Sequence, residues 1–383
     1  MSQPVTSRLD RGVAVIRIDN PPVNALSPEV INGLDTAVTA AARDSSVLAM
    51  VVIGAGRTFI AGADIKGLEQ VAWGSDSGAP EMHLLLQKIE DAGKPVVMAM
   101  HGTALGGGLE VAMAGHYRVA VRDGQMGQPE VNLGIIPGAE GTQRLPRLVG
   151  LEKAIEMCVS GKPVKAPDAL AAGLIDRIVD GDLEAGATAF AREVASQGGP
   201  HPRTRERTDR LPARDAVPAM LEAGRDLARK TRRGLEAPLA VVDALGAAAT
   251  LPFDEGCVRE REIFYGLGRS EQAKALIHAF FAERGASKVP DVPKDTKPAE
   301  IAHVGIVGAG TMGGGIAMAC ANAGITVRLT DATAQALDAG MATIRRNYDI
   351  SAKRGRFTPA MVEERLARIV PQVGYDGFDK ADL

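Results

Sequence analysis

The run V-L-A-M-V-V-I at 47–53 is apolar from end to end. A strand with one face in water alternates apolar and polar residues. An unbroken apolar run has to be covered on both faces, as in a parallel sheet flanked by helices. P-V-V-M-A-M at 95–100 has the same character, and G-V-A-V-I-R-I at 12–18 and residues 117–121 also read as strands. Between them lie helix signals. Asp19-Asn20-Pro21-Pro22 ends the first strand, and Ser27-Pro28-Glu29 places an N-cap and an N1 proline ahead of a helix through about Ala42. A glycine-rich turn followed by a helix occupies about 107–115. Helices alternating with buried strands define an α/β layered domain over 1–185.

The pattern changes after that. From 186 to 297 the strand runs vanish and helical periodicity dominates 216–231, 238–250 and 257–284. The apolar positions of A-K-A-L-I-H-A-F-F-A (273–282) are too dense for a free linker, so this helical region is expected to pack on the domain before it. Pro290, Pro293 and Pro298 mark a boundary. Residues 298–383 then open a new unit. His303–Val307 reads as a strand, G-A-G-T-M-G (308–313) as a turn into a helix, and 325–330 as a second strand closed by Asp331. This is a dinucleotide-binding signature with its context intact. Gly308 permits the tight turn, Gly310 the approach of a pyrophosphate, and Gly313 close helix–strand packing. The helix N-terminus, with Thr311 and Met312, offers free N–H groups to phosphates. Asp331 suits a ribose 2′-OH and repels a 2′-phosphate, so NAD is the expected cofactor. Much of 332–383 reads as helix. At most the first half of a doubly wound Rossmann fold is expected there, with an unpaired sheet edge.

Two glutamates stand out among the candidate reactive groups: Glu110 in H-G-T-A-L-G-G-G-L-E (101–110) and Glu130 in M-G-Q-P-E-V-N-L-G (126–134). Two carboxylates in one pocket can divide acid and base work. His83, His101 and His116 have no evident partners and read as structural. The arginines of R-T-R-E-R-T-D-R (203–210) are interrupted by Glu206 and Asp209 and read as a solvated stretch. With a net charge of −3, nothing argues for a polyanion partner, so no nucleic-acid partner is expected. Cys158, Cys257 and Cys320 have no metal-ligand spacing, and an odd number suits a reducing compartment. No metal is expected. The N-terminus lacks an apolar signal region, no run reaches the ~20 residues of a membrane helix, and K-A-D-L is not a peroxisomal address. The expected setting is cytoplasmic, without membrane attachment.

Four segments carry a resemblance: F-I-A-G-A-D-I-K (59–66), 101–110, G-Q-P-E-V-N-L-G-I-I-P-G-A-E-G-T-Q-R-L (127–145) and A-A-G-L-I-D-R-I-V-D (171–180). Together they resemble the crotonase, or enoyl-CoA hydratase/isomerase, superfamily. The chain as a whole, including E-R-E-I-F-Y-G-L (260–267), is similar to the N-terminal part of multifunctional β-oxidation enzymes, which join a hydratase/isomerase to a 3-hydroxyacyl-CoA dehydrogenase. The resemblance implies a layered, spiral fold. It implies an oxyanion hole from the N–H groups of Ala63 and Gly107, and catalysis by Glu110 and Glu130 holding one water. Glu130 would protonate the α-carbon and Glu110 would activate the water, giving syn hydration of a trans-2-enoyl-CoA to a 3S-hydroxyacyl-CoA. Ala61, Ala63 and Ile65, with Lys66, would meet coenzyme A. Δ3–Δ2 enoyl isomerisation and non-catalytic acyl-CoA or NAD binding are the alternatives. The catalytic histidine of related dehydrogenases lies downstream of residue 383, so the dehydrogenase half is expected to be incomplete in these residues. A monomer or a small homo-oligomer fits.

Overall fold

The computed structural model describes residues 3–64, 79–286, 289–293 and 295–383. The main sheet has the order β1-β2-β3-β4-β6-β9, with β1 Val5–Asp10, β2 Val13–Ile18, β3 Ala49–Gly54, β4 Val96–Met100, β6 Tyr117–Val121 and β9 Arg177–Val179. Only β1 and β2 pair antiparallel; every other neighbouring pair is parallel. A small second sheet holds β5 Thr103–Leu105, β7 Gln125–Gly127 and β8 Val164–Lys165. The helices of this part are α1 Pro28–Arg43, α2 Ala79–Glu90, α3 Gly107–Ala114, α4 Gly141–Val149, α5 Leu151–Ser160, α6 Ala166–Ala172 and α7 Leu183–Ser196. Ser27 caps α1 by accepting the Val30 N–H, with Pro28 following it, as the sequence signals predict.

The apolar run of β3 is explained by two cores. Met50 and Val52 face one, with Ile16, Leu34, Leu85 and Leu109. Ala49, Val51 and Ile53 face the other, with Val97, Val119 and the Phe190 and Val194 side chains of α7. The sheet is therefore the middle layer, and period-2 alternation is hidden because both faces are dry.

The helical region belongs to the first compact unit, which runs from Met1 to Lys288. It consists of α8 Val217–Thr231, α9 Ala237–Thr250, α10 Phe253–Gly268 and α11 Glu271–Ala286. Helix α9 is apolar on nearly every side and packs against α4, α5, α8 and α10, so its Val241, Val242, Ala244 and Leu245 join the larger core. The arginine-rich stretch is not simply solvated. Thr204 is buried and donates its hydroxyl to the Met113 carbonyl, and the Arg205 N–H donates to Glu90. A buried carboxylate and an uncapped carbonyl draw this segment onto the domain, a demand local charge counting cannot register.

The second unit, Val289–Leu383, is described by itself. Its sheet is β10 His303–Val307, β11 Thr326–Asp331 and β12 Ile369–Val373, all parallel, with α12 Thr311–Asn322, α13 Ala334–Lys353 and α14 Pro359–Ala367. Helices α13 and α14 occupy much of 332–383, as expected, and the third strand, β12, is an addition the sequence did not signal. It is mostly exposed and contains Pro371, which an edge strand tolerates. The free edge of β10 is also partly met: the Asp382 N–H donates to the His303 carbonyl, and the Gly305 N–H donates to the Leu383 carbonyl.

Candidate active site

The path from β4 to α3 is set by glycine. Gly106 has φ 53° and ψ −127°, a conformation closed to side-chain-bearing residues, and a Cβ there would lie 2.7 Å from Glu130 Oε1. A Cβ on Gly108 would lie 2.2 Å from the Ile60 carbonyl oxygen. The start of α3 is thereby pressed against the 60–63 segment, which is itself held by the Leu105 N–H on the Ile60 carbonyl and the Leu26 N–H on the Gly62 carbonyl. The Ala63 nitrogen lies 3.6 Å from where a Gly107 Cβ would stand, so the two expected donors are neighbours. Gly107 is the first residue of α3, where the helix leaves its N–H groups unused. Among the described residues neither the Ala63 nor the Gly107 N–H meets a backbone acceptor.

Glu110 lies one turn into α3, and its Oε2 is 3.7 Å from the Gly107 Cβ position. It is 3 % exposed. Its Oε1 accepts the Ala139 N–H at 2.9 Å and the Gly141 N–H at 3.0 Å. Burial pushes its carboxyl up, those two N–H groups and the nearby His83 pull it back, and the balance stands at about 7. Glu130 opens the short 3₁₀ turn Glu130–Leu133. Burial raises it well above the ordinary carboxylate range, and the Glu110 and Glu260 charges push it further. With the Gln128 amide turned to satisfy both groups, its nitrogen donates to Glu130 Oε1 at 3.1 Å. The two glutamates therefore do converge, each carboxyl raised by burial and Glu130 raised further by the Glu110 charge, so that one can keep its proton while its neighbour is ionised.

A third carboxylate, not foreseen in the sequence, meets them. Glu260 of α10 is fully buried. It accepts the Glu140 N–H at 2.6 Å, the Thr142 N–H at 2.8 Å, and the Thr142 hydroxyl. Burial and the Glu110 charge raise its carboxyl to about 8 against the pull of those donors. Four successive peptides, 139 to 142, thus give their N–H groups alternately to Glu110 and Glu260. Helix α4 begins here with no side-chain cap of its own, so the two glutamates cap it from other helices. One sequence signal existed: Gly256, Cys257 and Glu260 are spaced as one helix face, and all three are buried.

The same turn carries a buried charge network. Glu140, at φ 67°, accepts Arg144 Nε at 2.8 Å, and Arg144 binds both oxygens of Glu90 at 2.9 and 3.0 Å. Burial pushes Glu140 up, but His83 and Arg144 outweigh it and hold it below its usual range. His83 does have a partner: its Nδ1 lies 3.4 Å from Glu140 Oε1. His116 does fill a structural role, accepting the Val96 N–H, and burial holds it down at about 4. His101 faces the Gly56 carbonyl. Of the coenzyme A candidates, Ala61 and Ala63 are half-buried. Ile65 and Lys66 lie outside the described residues.

In the second unit, Gly308 has φ 98°, and a Cβ on Gly313 would stand 1.8 Å from the Gly308 carbonyl oxygen. Only glycine fits either position, and the cradle has the form the phosphate signature requires. Gly310 caps α12, and Thr311 and Met312 begin it, Met312 being 80 % exposed. Asp331 Oδ2 accepts the Ala309 N–H at 2.7 Å, which ties the end of β11 to the glycine turn. Among the described residues no group of side chains could hold a metal, and no helix is long and apolar enough to cross a membrane.

The sequence family described as enoyl-CoA hydratase/isomerase matches residues 8–237, and the one described as 3-hydroxyacyl-CoA dehydrogenase, NAD binding domain, matches residues 303–383. The chain is 38% identical over 377 residues to the peroxisomal fatty acid beta-oxidation multifunctional protein AIM1 of Arabidopsis thaliana, covering 97% of this chain and 52% of that protein. It is 39% identical over 333 residues to the peroxisomal bifunctional enzyme of Homo sapiens, covering 85% of this chain and 45% of that one. The chain thus spans about half the length of these curated relatives. A solved enoyl-CoA hydratase from Mycobacterium avium subsp. paratuberculosis shares the fold, with TM-score 0.53 at 23% identity over 73% of this chain and 96% of that one.

Proposed function

The chain belongs to the enoyl-CoA hydratase/isomerase family, and from that premise we propose that it adds water, syn, across the double bond of a trans-2-enoyl-CoA to give a 3S-hydroxyacyl-CoA. The observation that supports this most is the pairing of the buried Glu110 and the half-buried Glu130 beside two N–H groups that, among the described residues, meet no backbone acceptor. The thioester oxygen sits on the Ala63 and Gly107 N–H groups, which stabilise the negative charge that develops there; losing one such donor typically costs ~10²–10³ in rate. Glu110, ionised, takes a proton from water as its oxygen bonds to the β-carbon. Glu130, protonated, gives its proton to the α-carbon as the enolate collapses. The carboxyls end with their proton exchanged, and transfer through the product-side water resets them. Ala61 and Ala63, with Ile65 and Lys66, are the proposed contacts of coenzyme A.

The second unit is an NAD-binding domain by its family match. We infer that Gly308, Gly310, Thr311, Met312 and Gly313 hold the dinucleotide's pyrophosphate and that Asp331 selects NAD over NADP. Bound NAD would supply a hydride acceptor for 3-hydroxyacyl-CoA oxidation, the proposed activity of the whole protein. The proposed compartment is the cytoplasm, although the relatives' names are peroxisomal and glyoxysomal; tracking a fluorescent fusion decides between them. The hydratase test is loss of the enoyl-thioester absorbance of crotonyl-CoA. Glu130→Gln is expected to lose orders of magnitude in turnover while binding a CoA thioester nearly normally. Full turnover in that variant overturns the assignment.

A further inference from the structure

We propose that Glu260, brought in by α10 of the helical region, is a positioning residue for hydration: it fixes peptides 139–142 so that alternate N–H groups hold Glu110 in place as the base. The inference rests on the hydratase reading above. Its basis is geometric. Glu260 takes the N–H groups of Glu140 and Thr142, and Glu110 takes those of Ala139 and Gly141. In an extended or turning segment, successive N–H groups point to opposite sides, so neither carboxylate can hold its pair unless the other side is also satisfied. Without Glu260, two buried N–H groups and the Thr142 hydroxyl lose their acceptor, and the peptides are free to rotate toward other partners. Glu260 does not touch the substrate in this role, because among the described residues its hydrogen bonds go to the α4 N-terminus.

The titratable groups facing Glu260 are Glu110 from α3, Glu130 from the 3₁₀ turn, the Cys158 thiol from α5, and the Cys257 thiol beside it on α10. Helix α9 contributes only the Ala244 carbonyl to this corner, through Gln143. Once ionised, above about 8, Glu260 adds negative charge next to Glu130 and helps keep it protonated.

The test compares wild type, Glu260→Gln, Thr142→Val, and Arg259→Ala as an exposed control on the same helix. Glu260→Gln should lower kcat on crotonyl-CoA by about 10–100-fold with KM changed less than about twofold, since misplacing a catalytic group by ~1 Å costs on that order. The alkaline limb of kcat/KM should move to lower pH, because Glu130 loses a repulsive neighbour and ionises sooner. Thr142→Val should lower kcat in the same direction by less and serves if Glu260→Gln does not fold. Arg259→Ala should match wild type. A folded Glu260→Gln with wild-type kcat and an unmoved alkaline limb overturns the inference while leaving the hydratase reading intact. If wild type itself fails to hydrate, that reading falls. Carboxyl-carbon NMR of Glu110 then still decides: a titration unchanged by Glu260→Gln overturns the coupling, and a displaced one supports it.

Discussion

Replacing Glu110 by Gln separates what this side chain does for chemistry from what it does to the fold. The amide oxygen can still accept the Ala139 and Gly141 N–H groups that bind Glu110 Oε1. It cannot take a proton from water and carries no charge. The Glu110 carboxyl stands at about 7 instead of its ordinary 4.5. The folded chain thus binds this proton more tightly than the unfolded chain does. Its contribution to stability is fully present below 4.5 and is lost as pH rises through 7. At 1.36 kcal/mol per pH unit, the ionised form is disfavoured in the folded state by about 3 kcal/mol at pH 9. Glutamine is neutral at every pH. Glu110→Gln should therefore be more stable than wild type at pH 9 by about 1–3 kcal/mol, the lower figure allowing for a poorly matched amide NH₂, with the gap closing toward pH 5. Turnover should fall by ~10²–10⁴, the usual worth of a general base. Calorimetric melting of the full chain at pH 5 and pH 9, with hydration measured alongside, reads both; each kcal/mol moves the transition of the first unit by roughly 2 °C or more. A variant no more stable than wild type at pH 9, or one that keeps its turnover, would refute the view of Glu110 as an anion held against its preference.

Further outcomes follow from neighbouring residues. Hydration should decline on the acid side of about 7, dropping about fivefold between pH 7 and pH 6 as Glu110 takes up its proton; a rate flat across that interval contradicts the assignment of the base. Gly106→Ala should cost about 1–3 kcal/mol of stability from backbone strain alone and displace Glu130, cutting kcat more than KM; unchanged kinetics would separate Gly106 from the site. Gly313→Ala should abolish NAD binding measured by calorimetry and leave crotonyl-CoA hydration untouched, because its Cβ has no room beside Gly308. Supplying a 3-enoyl-CoA and comparing rates tests the isomerase alternative, and hydration is expected to be faster.

The sequence disclosed what depends on short stretches. The β3 run, the Ser27 cap and the glycine turn at 308–313 are local patterns with local physics, and the structure follows each. Glu110 and Glu130 lie only twenty positions apart, each flanked by its own shaping residues, so their convergence could be expected. What escaped was either half-exposed or distant. Strands β1 and β12 sit at sheet edges with most side chains in water, so neither shows a clean apolar alternation. Glu260 escaped because its partners lie 118 and 120 residues earlier in the chain, and nothing near it in sequence requires a carboxylate. Arg205 and Thr204 are similar cases, with polar groups chosen by acceptors on remote helices.

The alternating hold on residues 139–142 bears on how divisible this protein is. By sequence, the layered domain and the helices after it look like separable modules, and a cut after α7 would spare both Glu110 and Glu130, the proposed catalytic pair. Such a cut would remove the acceptor for every second peptide at the start of α4. Modularity in chain order and modularity in contacts therefore differ here: the smallest part that keeps both carboxylates on residues 139–142 extends at least through α10.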